Sequence, residues 1–194
     1  MFRSSPGSPS LPARKSPMPK SRSFWCALSA TALLLTGACM SDEGKNAPLP
    51  RMSKEEATTR AEEYASRMAE AAGVSLREGD AETYFYDCVG KNDEIAGDGR
   101  FSLYHAVHAD LPKEEHTAAV RKLRADFKEK GYEVTGYREY EDDYRTATVS
   151  ATIPDDRFTV DVSSSGPSRK PSKTLLFGVR TPCLLPPGAT QETQ

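Results

Sequence analysis

The sequence predicts an α+β domain: an antiparallel sheet of five to six strands with two helices packed on one face, in the order α-β-β-α-β-β-β-β. Two stretches before Gly131 carry apolar side chains at helical spacing, and after Gly131 the period falls from about 3.6 to about 2. The later strands are joined by turns too tight for parallel crossovers, so they pair antiparallel. A sheet that is apolar on one face then needs a cover, and the two helices supply it.

The first helix starts at Ser53, which forms an S-x-x-E capping box with Glu56. Ala57, Ala61, Tyr64, Ala65, Met68, Ala71 and Ala72 follow on one stripe, and Gly73 supplies the stop. Thr83 to Cys88 (TYFYDC) and Phe101 to Ala109 (FSLYHAVHA) have the aromatic and β-branched character of strands, separated by the glycine-containing loop VGKNDEIAGDGR. Pro112 opens the second helix, with Glu114 and Glu115 in its first turn and Lys128 and Lys130 near its end, as the helix dipole favours. Its stripe is His116, Ala119, Val120, Leu123 and Phe127, and Gly131 ends it.

Tyr132 to Tyr140 leads through Glu141-Asp142-Asp143 into Tyr144 to Ile153, where Ala147, Val149, Ala151 and Ile153 alternate with Thr146, Thr148, Ser150 and Thr152. Such alternation gives one buried and one wet face. Pro154-Asp155-Asp156 turns the chain into Arg157 to Ser163, with Phe158, Val160 and Val162 inward. After the loop SSSGPSRKPS, Lys173 to Thr181 places Leu175, Phe177 and Val179 on one face. One domain over residues 52–186 is large enough to bury a single core. Residues 187–194 are expected to form a disordered tail.

The chain's beginning has a different character. Every ionisable side chain before Asp42 is basic: Arg3, Arg14, Lys15, Lys20 and Arg22. Phe24 to Ala38 is uncharged but shorter than the roughly 20 residues a membrane-spanning helix needs, so it reads as the apolar region of a signal peptide over residues 1–38. Met18 is a second candidate start, because Met18 to Ala38 is a complete signal by itself. Leu35-Thr36-Gly37-Ala38-Cys39 resembles the lipobox of bacterial lipoproteins, with Thr36 where that motif usually has Leu, Val or Ile. The resemblance implies cleavage before Cys39 and a diacylglyceryl group on its thiol. Residues 39–51, polar and holding Gly44, Pro48 and Pro50, would be a lipidated flexible tether.

Processing changes the charge and the cysteine count. Losing the five upstream cations from 26 Lys and Arg leaves 21 against 28 Asp and Glu, a net charge of −7. An acidic chain without a basic block is a poor candidate for nucleic acid or for anionic lipid headgroups, so no nucleic-acid partner is expected and membrane attachment should come from the acyl anchor at Cys39 alone. Cys26 leaves with the signal and Cys39 is acylated, so Cys88 and Cys183 remain in an exported, oxidising setting. A disulfide is the simplest reading of that pair, two separate buried thiols being the other.

The candidate chemistry is thin. His105 and His108 form H-x-x-H, but three residues apart on a strand they point to opposite faces. His116 sits on the apolar stripe of the second helix, where a core histidine is the simpler reading. Asp93, Glu94 and Asp98 lie among glycines without the D-x-[DN]-x-[DN]-G spacing of a calcium loop. There is no G-x-S-x-G elbow, P-loop or G-x-G-x-x-G, and no cofactor is expected. The hairpin YREYEDDYR gathers Tyr137, Arg138, Tyr140, Tyr144 and Arg145 around an acidic turn, residue types enriched where partners dock. Cross-strand pairing within the hairpin explains the same residues without a partner.

The lipobox, the Ala-rich helix, YFYDC, a helix ending in K-G-Y, the alternating strands and a terminal T-P-C-L-L-P together resemble the small secreted lipoproteins of actinobacteria, of the streptomycete type. The resemblance implies an extracytoplasmic, lipid-anchored domain at the outer face of the cytoplasmic membrane. It supplies no activity and no catalytic residue. Two function classes follow: a noncatalytic binding or cell-envelope accessory domain with an unknown envelope protein or ligand as partner, and a cell-wall-directed hydrolase whose scattered site would show as perturbed carboxylates or histidines in one pocket.

Overall fold

The computed structural model describes residues 47–90, 93–141, 145–165 and 173–192. Its elements follow the expected order: α1 (Lys54–Ala72), β1 (Glu82–Asp87), β2 (Phe101–Asp110), α2 (Lys113–Glu129), β3 (Glu133–Glu139), β4 (Ala147–Thr152), β5 (Thr159–Ser165) and β6 (Thr174–Arg180). The predicted signal peptide, the alternative start at Met18 and the lipidation site Cys39 lie outside the described residues.

Both helices end by the same device. At α1, Gly73 takes φ 78° and its N–H bonds to Glu70 O while Val74 N–H bonds to Ala69 O, each at 3.0 Å. At α2, Gly131 takes φ 74°, Gly131 N–H reaches Lys128 O at 3.1 Å and Tyr132 N–H reaches Phe127 O at 2.8 Å. This left-handed cap satisfies carbonyls that the helix itself leaves open. The start of α1 is capped as expected, Ser53 Oγ accepting from Glu56 N–H at 3.1 Å. Pro112 at the start of α2 offers no side-chain cap.

The six strands form one antiparallel sheet in the order β1-β2-β6-β5-β4-β3. Helix α1 lies on β2 and β6, and α2 lies on β3, β4 and β5. The fully buried Ala57, Ala61 and Ala65 keep the surface of α1 thin, which lets its axis approach the sheet closely. Phe101, Phe127, Phe158 and Phe177 fill the space between helices and sheet with Leu103, Leu123 and Leu175. Alternate residues point to the other face, where Thr148, Ser150, Thr152, Thr159 and Ser163 are half-buried.

Strand β4 is Ala147–Thr152, and Tyr140 N–H bonds to Thr146 O at 2.8 Å just before it; the expected strand start at Tyr144 lies outside the described residues. Two other expectations need correction. The tail expected to be disordered is bound through its described part: Arg100 donates to Glu192 O at 3.0 Å, and Glu192 N–H donates to Asp98 Oδ2 at 3.0 Å. The described end of the expected tether is bound too. Leu185 N–H donates to Pro50 O at 2.9 Å, and Arg51 donates to Ala189 O at 2.7 Å. Both segments are polar and proline-bearing, which mimics a linker, but each supplies the other's backbone partners.

Cys88 and Cys183 form the expected disulfide, with Cα atoms 6.1 Å apart. It lies beside a short ladder in which Phe101 N–H bonds to Leu184 O at 2.9 Å and Leu184 N–H to Phe101 O at 2.7 Å.

Candidate functional site

The helices cover one face of the sheet, so chemistry open to a ligand belongs to the other. On that face β1, β2, β6 and β5 place Tyr86 opposite Ser102, Tyr84 opposite Tyr104, Tyr104 opposite Arg180 and Gly178 opposite Asp161. Tyr86, Ser102, Tyr104 and Arg180, with Leu103, line a recess of about 290 Å³. The Arg180 guanidinium lies 5.0 Å from the centroid of the Tyr104 ring, a cation–π contact.

Asp161 stands one residue pair along, in a strand flanked on both sides. Burial raises its pKa above the ordinary carboxylate range, and the positive charge of Arg180 pulls the other way. Tyr104 is likewise raised, by burial first and then by the charge of Asp161. The carboxylate has room because its neighbour on β6 has no side chain: a Cβ on Gly178 would come within 2.7 Å of Asp161 Oδ1. A glycine inside an otherwise apolar strand is the mark of such a close approach.

The arrangement offers a guanidinium, a carboxyl group, hydroxyls from Tyr86, Tyr104 and Ser102, and two ring faces. Such groups are capable of hydrogen bonding, charge pairing and ring stacking.

The histidines sit elsewhere. His105 is buried on the helix side of β2, where burial lowers its pKa, and its Nδ1 is 2.9 Å from Thr83 Oγ1. His108 points the opposite way, as the spacing requires, with Nδ1 2.7 Å from Asp80 Oδ2. His116 is buried between Leu111 O at 2.8 Å and Thr146 Oγ1 at 3.2 Å, and burial lowers its pKa. Its partners make it a core histidine. Asp161 faces away from the helices, and His105 and His116 face them on separate elements. Among the described residues no group of three or more His, Cys, Asp or Glu is placed to hold a metal ion.

The hairpin singled out in the sequence is divided by the sheet. Tyr137 is opposite the buried Val149 and so faces α2, where Arg124 lies 4.2 Å from its ring centroid and its hydroxyl donates to Glu139. Arg121 holds the same Glu139 carboxylate through two bonds of 2.8 and 2.6 Å, which lowers that carboxyl to about 2. Arg138 and Tyr140 belong to the other side, the Tyr140 ring lying 5.1 Å from Arg138 and 4.4 Å from Arg145. Tyr144 lies outside the described residues. Four of the five hairpin residues are thus engaged within the molecule, and they do not converge on one patch.

Sequence reasoning missed Asp161, Tyr104 and Arg180, which stand on three different strands and are brought together only by the pairing of β2, β6 and β5. The signal that could have found them is Gly178 in TLLFGVR. Compared with known proteins, no family model, no curated protein and no solved structure matches the chain. No helix among the described residues is long and apolar enough to cross a membrane.

Proposed function

We propose that the protein is a noncatalytic binding domain, anchored through a lipid on Cys39 at the outer face of the cytoplasmic membrane, which takes an envelope ligand on its open sheet face. The observation that carries this reading is the recess of Tyr86, Ser102, Tyr104 and Arg180 beside the half-buried Asp161. A half-buried carboxyl in a central strand, its pKa raised by burial, is the kind of group that collects at functional sites. The ligand class it suits is polyhydroxylated or carboxylate-bearing, with an apolar face for the tyrosine rings. The Cys88–Cys183 disulfide supports an oxidising location. The basic leader and lipobox-like TGAC support the anchor.

Two measurements test it. Mass spectrometry of the membrane-bound form is expected to find Cys39 acylated at the N-terminus, and Cys39→Ala to release the protein or leave it unprocessed. An unmodified N-terminus at another residue would sink the anchor. Binding to isolated cell envelopes is expected to fall at least tenfold in the double variant Tyr104→Ser, Arg180→Ser with the melting temperature within a few degrees of the parent. Unchanged binding by that folded variant would remove the recess from the reading.

A further inference from the structure

The sheet has two edges, and the sequence treats them differently. At β3 the register slips between Val134 and Gly136, so Thr135 is bulged, and the strand carries Glu133, Arg138 and Glu139. Bulges and charges are the usual guards against pairing with another chain. Strand β1 has no bulge, and its two charges, Glu82 and Asp87, stand at its ends: the residues between them, TYFY, are uncharged and in unbroken register with β2, without proline or lysine. The exposed large hydrophobic side chains also collect there, Tyr84 at 45 %, Phe85 at 40 % and Tyr86 at 53 %, followed by Val89 and Ile95 in the next loop.

The hydrogen-bond pattern says which backbone groups of β1 are open. Phe101 and Leu103 on β2 turn their backbone groups away from β1, Phe101 toward Leu184 and Leu103 toward Thr181. Ser102 and Tyr104 therefore turn theirs toward β1, where they meet Tyr86 and Tyr84. The alternate residues Thr83, Phe85 and Asp87 direct their N–H and C=O groups out of the sheet edge, where no strand among the described residues pairs with them.

That set is symmetric about Phe85. We infer that β1 pairs antiparallel with β1 of a second copy about a two-fold axis at Phe85, joining two six-stranded sheets into one. Only open backbone groups can face each other across such a ladder, so with Phe85 opposite its counterpart, Thr83 lies opposite Asp87. Tyr84 then meets Tyr86 of the other copy on the open face, twice by symmetry, and a threonine hydroxyl meets each aspartate. No acidic side chain is opposite another, and each aromatic side chain has an aromatic partner, one of the favourable cross-strand pairings. The axis stands perpendicular to the sheet, so the helices of both copies stay on one side and the two open faces become continuous. Three rings of 150–250 Å² each, about half exposed, bring on the order of 300 Å² per copy, and with the backbone ladder this reaches the low end of specific interfaces. The dimer is accordingly weak and reversible. It requires no particular location of the protein, and Tyr86 belongs both to its seam and to the recess.

The test uses the full chain in mild detergent, with Cys26→Ser and Cys39→Ser so that an introduced thiol is the sole free one. Residues opposite in a hydrogen-bonded antiparallel pair have Cα atoms about 5.5 Å apart, within disulfide reach. Phe85→Cys is expected to give a covalent dimer under mild oxidation, as is a mixture of Thr83→Cys with Asp87→Cys, while Tyr84→Cys alone is not. Sedimentation of the parent at rising concentration is expected to show monomer–dimer exchange that Phe85→Lys abolishes and Phe85→Leu keeps. A parent that stays monomeric up to millimolar concentration, or cross-linking that is equal at positions 84 and 85, would overturn the inference. A monomer whose β1 amides are nonetheless protected from hydrogen exchange would assign the edge to another segment of the chain or to a peptide partner.

Discussion

Asp161 and Gly178 form a pair in which each residue explains the other. A Cβ at position 178 would meet all three carboxylate atoms of Asp161 at 2.7 to 3.0 Å. Gly178→Ala is therefore expected to cost about 1–3 kcal/mol, as overpacking does, and Asp161→Ala in the same background to return most of it. Chemical denaturation of the four variants measures that coupling. The charge has its own signature. Burial raises the Asp161 pKa in the folded state above its ordinary value of 3.8, so the folded state holds this proton longer than the unfolded one. Its contribution to stability is complete below the ordinary value and is lost as pH rises through the folded one. The melting temperature of Asp161→Asn minus that of the parent is expected to be smallest near pH 3 and to grow toward neutrality. A difference independent of pH would mean that the carboxyl titrates as if in water. In the sequence Asp161 reads as an ordinary polar position of an alternating strand between Thr159 and Ser163. What distinguishes it is a neighbour on β6, which only the pairing of distant strands reveals. The opposite facing of His105 and His108 was legible because it depends on strand period alone.

At the scale of elements the sequence was read most securely where a local chemical device sets the boundary. The capping box and the two glycine stops place α1 and the end of α2, because caps act within a few residues of the chain. Ser53→Ala removes the bond to Glu56 N–H and is expected to lower stability by about 1 kcal/mol, with Ser53→Asp close to the parent because aspartate also caps. Equal losses in both variants would show that the hydroxyl is not acting as a cap. The hairpin was read less well for a physical reason. Alternation assigns Tyr137 and Arg138 to opposite faces, but the bulge at Thr135 decides which face, and here it turns Tyr137 toward Arg121 and Arg124 of α2. Residue types enriched at interfaces were present, yet the fold had already used them within itself. The recess formed instead at the other end of the sheet, where β1 brings its tyrosines beside Tyr104.

Across the whole molecule the two ends of the domain are fastened together, which the polar, proline-bearing flanks gave no reason to expect. Pro50, Met52 and Leu185 exchange backbone bonds, Gln191 donates to Ala47 O at 3.0 Å, and the buried pair of Asp98 and Arg100 holds Glu192 by its backbone. The disulfide belongs to this fastening. Its cysteines are 95 residues apart, and the loop between them holds β2 to β6 and α2. A cross-link over a loop of that length removes unfolded-state entropy worth about 4.5 kcal/mol in the chain-entropy model. The native state should depend on it far less, because the Phe101–Leu184 ladder and the Met52–Leu185 bond hold the same corner without sulfur. Cys88→Ala with Cys183→Ala is therefore expected to keep the native hydrogen-exchange pattern in β2, β5 and β6 while losing up to about 4.5 kcal/mol of global stability. Its refolding rate should fall more than its unfolding rate rises if the corner is already closed in the transition state. A variant that keeps the parent's stability would show that the constraint is already present in the unfolded chain. One that loses exchange protection in the C-terminal segment alone would show that the bond holds down the end of the domain rather than limiting the unfolded ensemble.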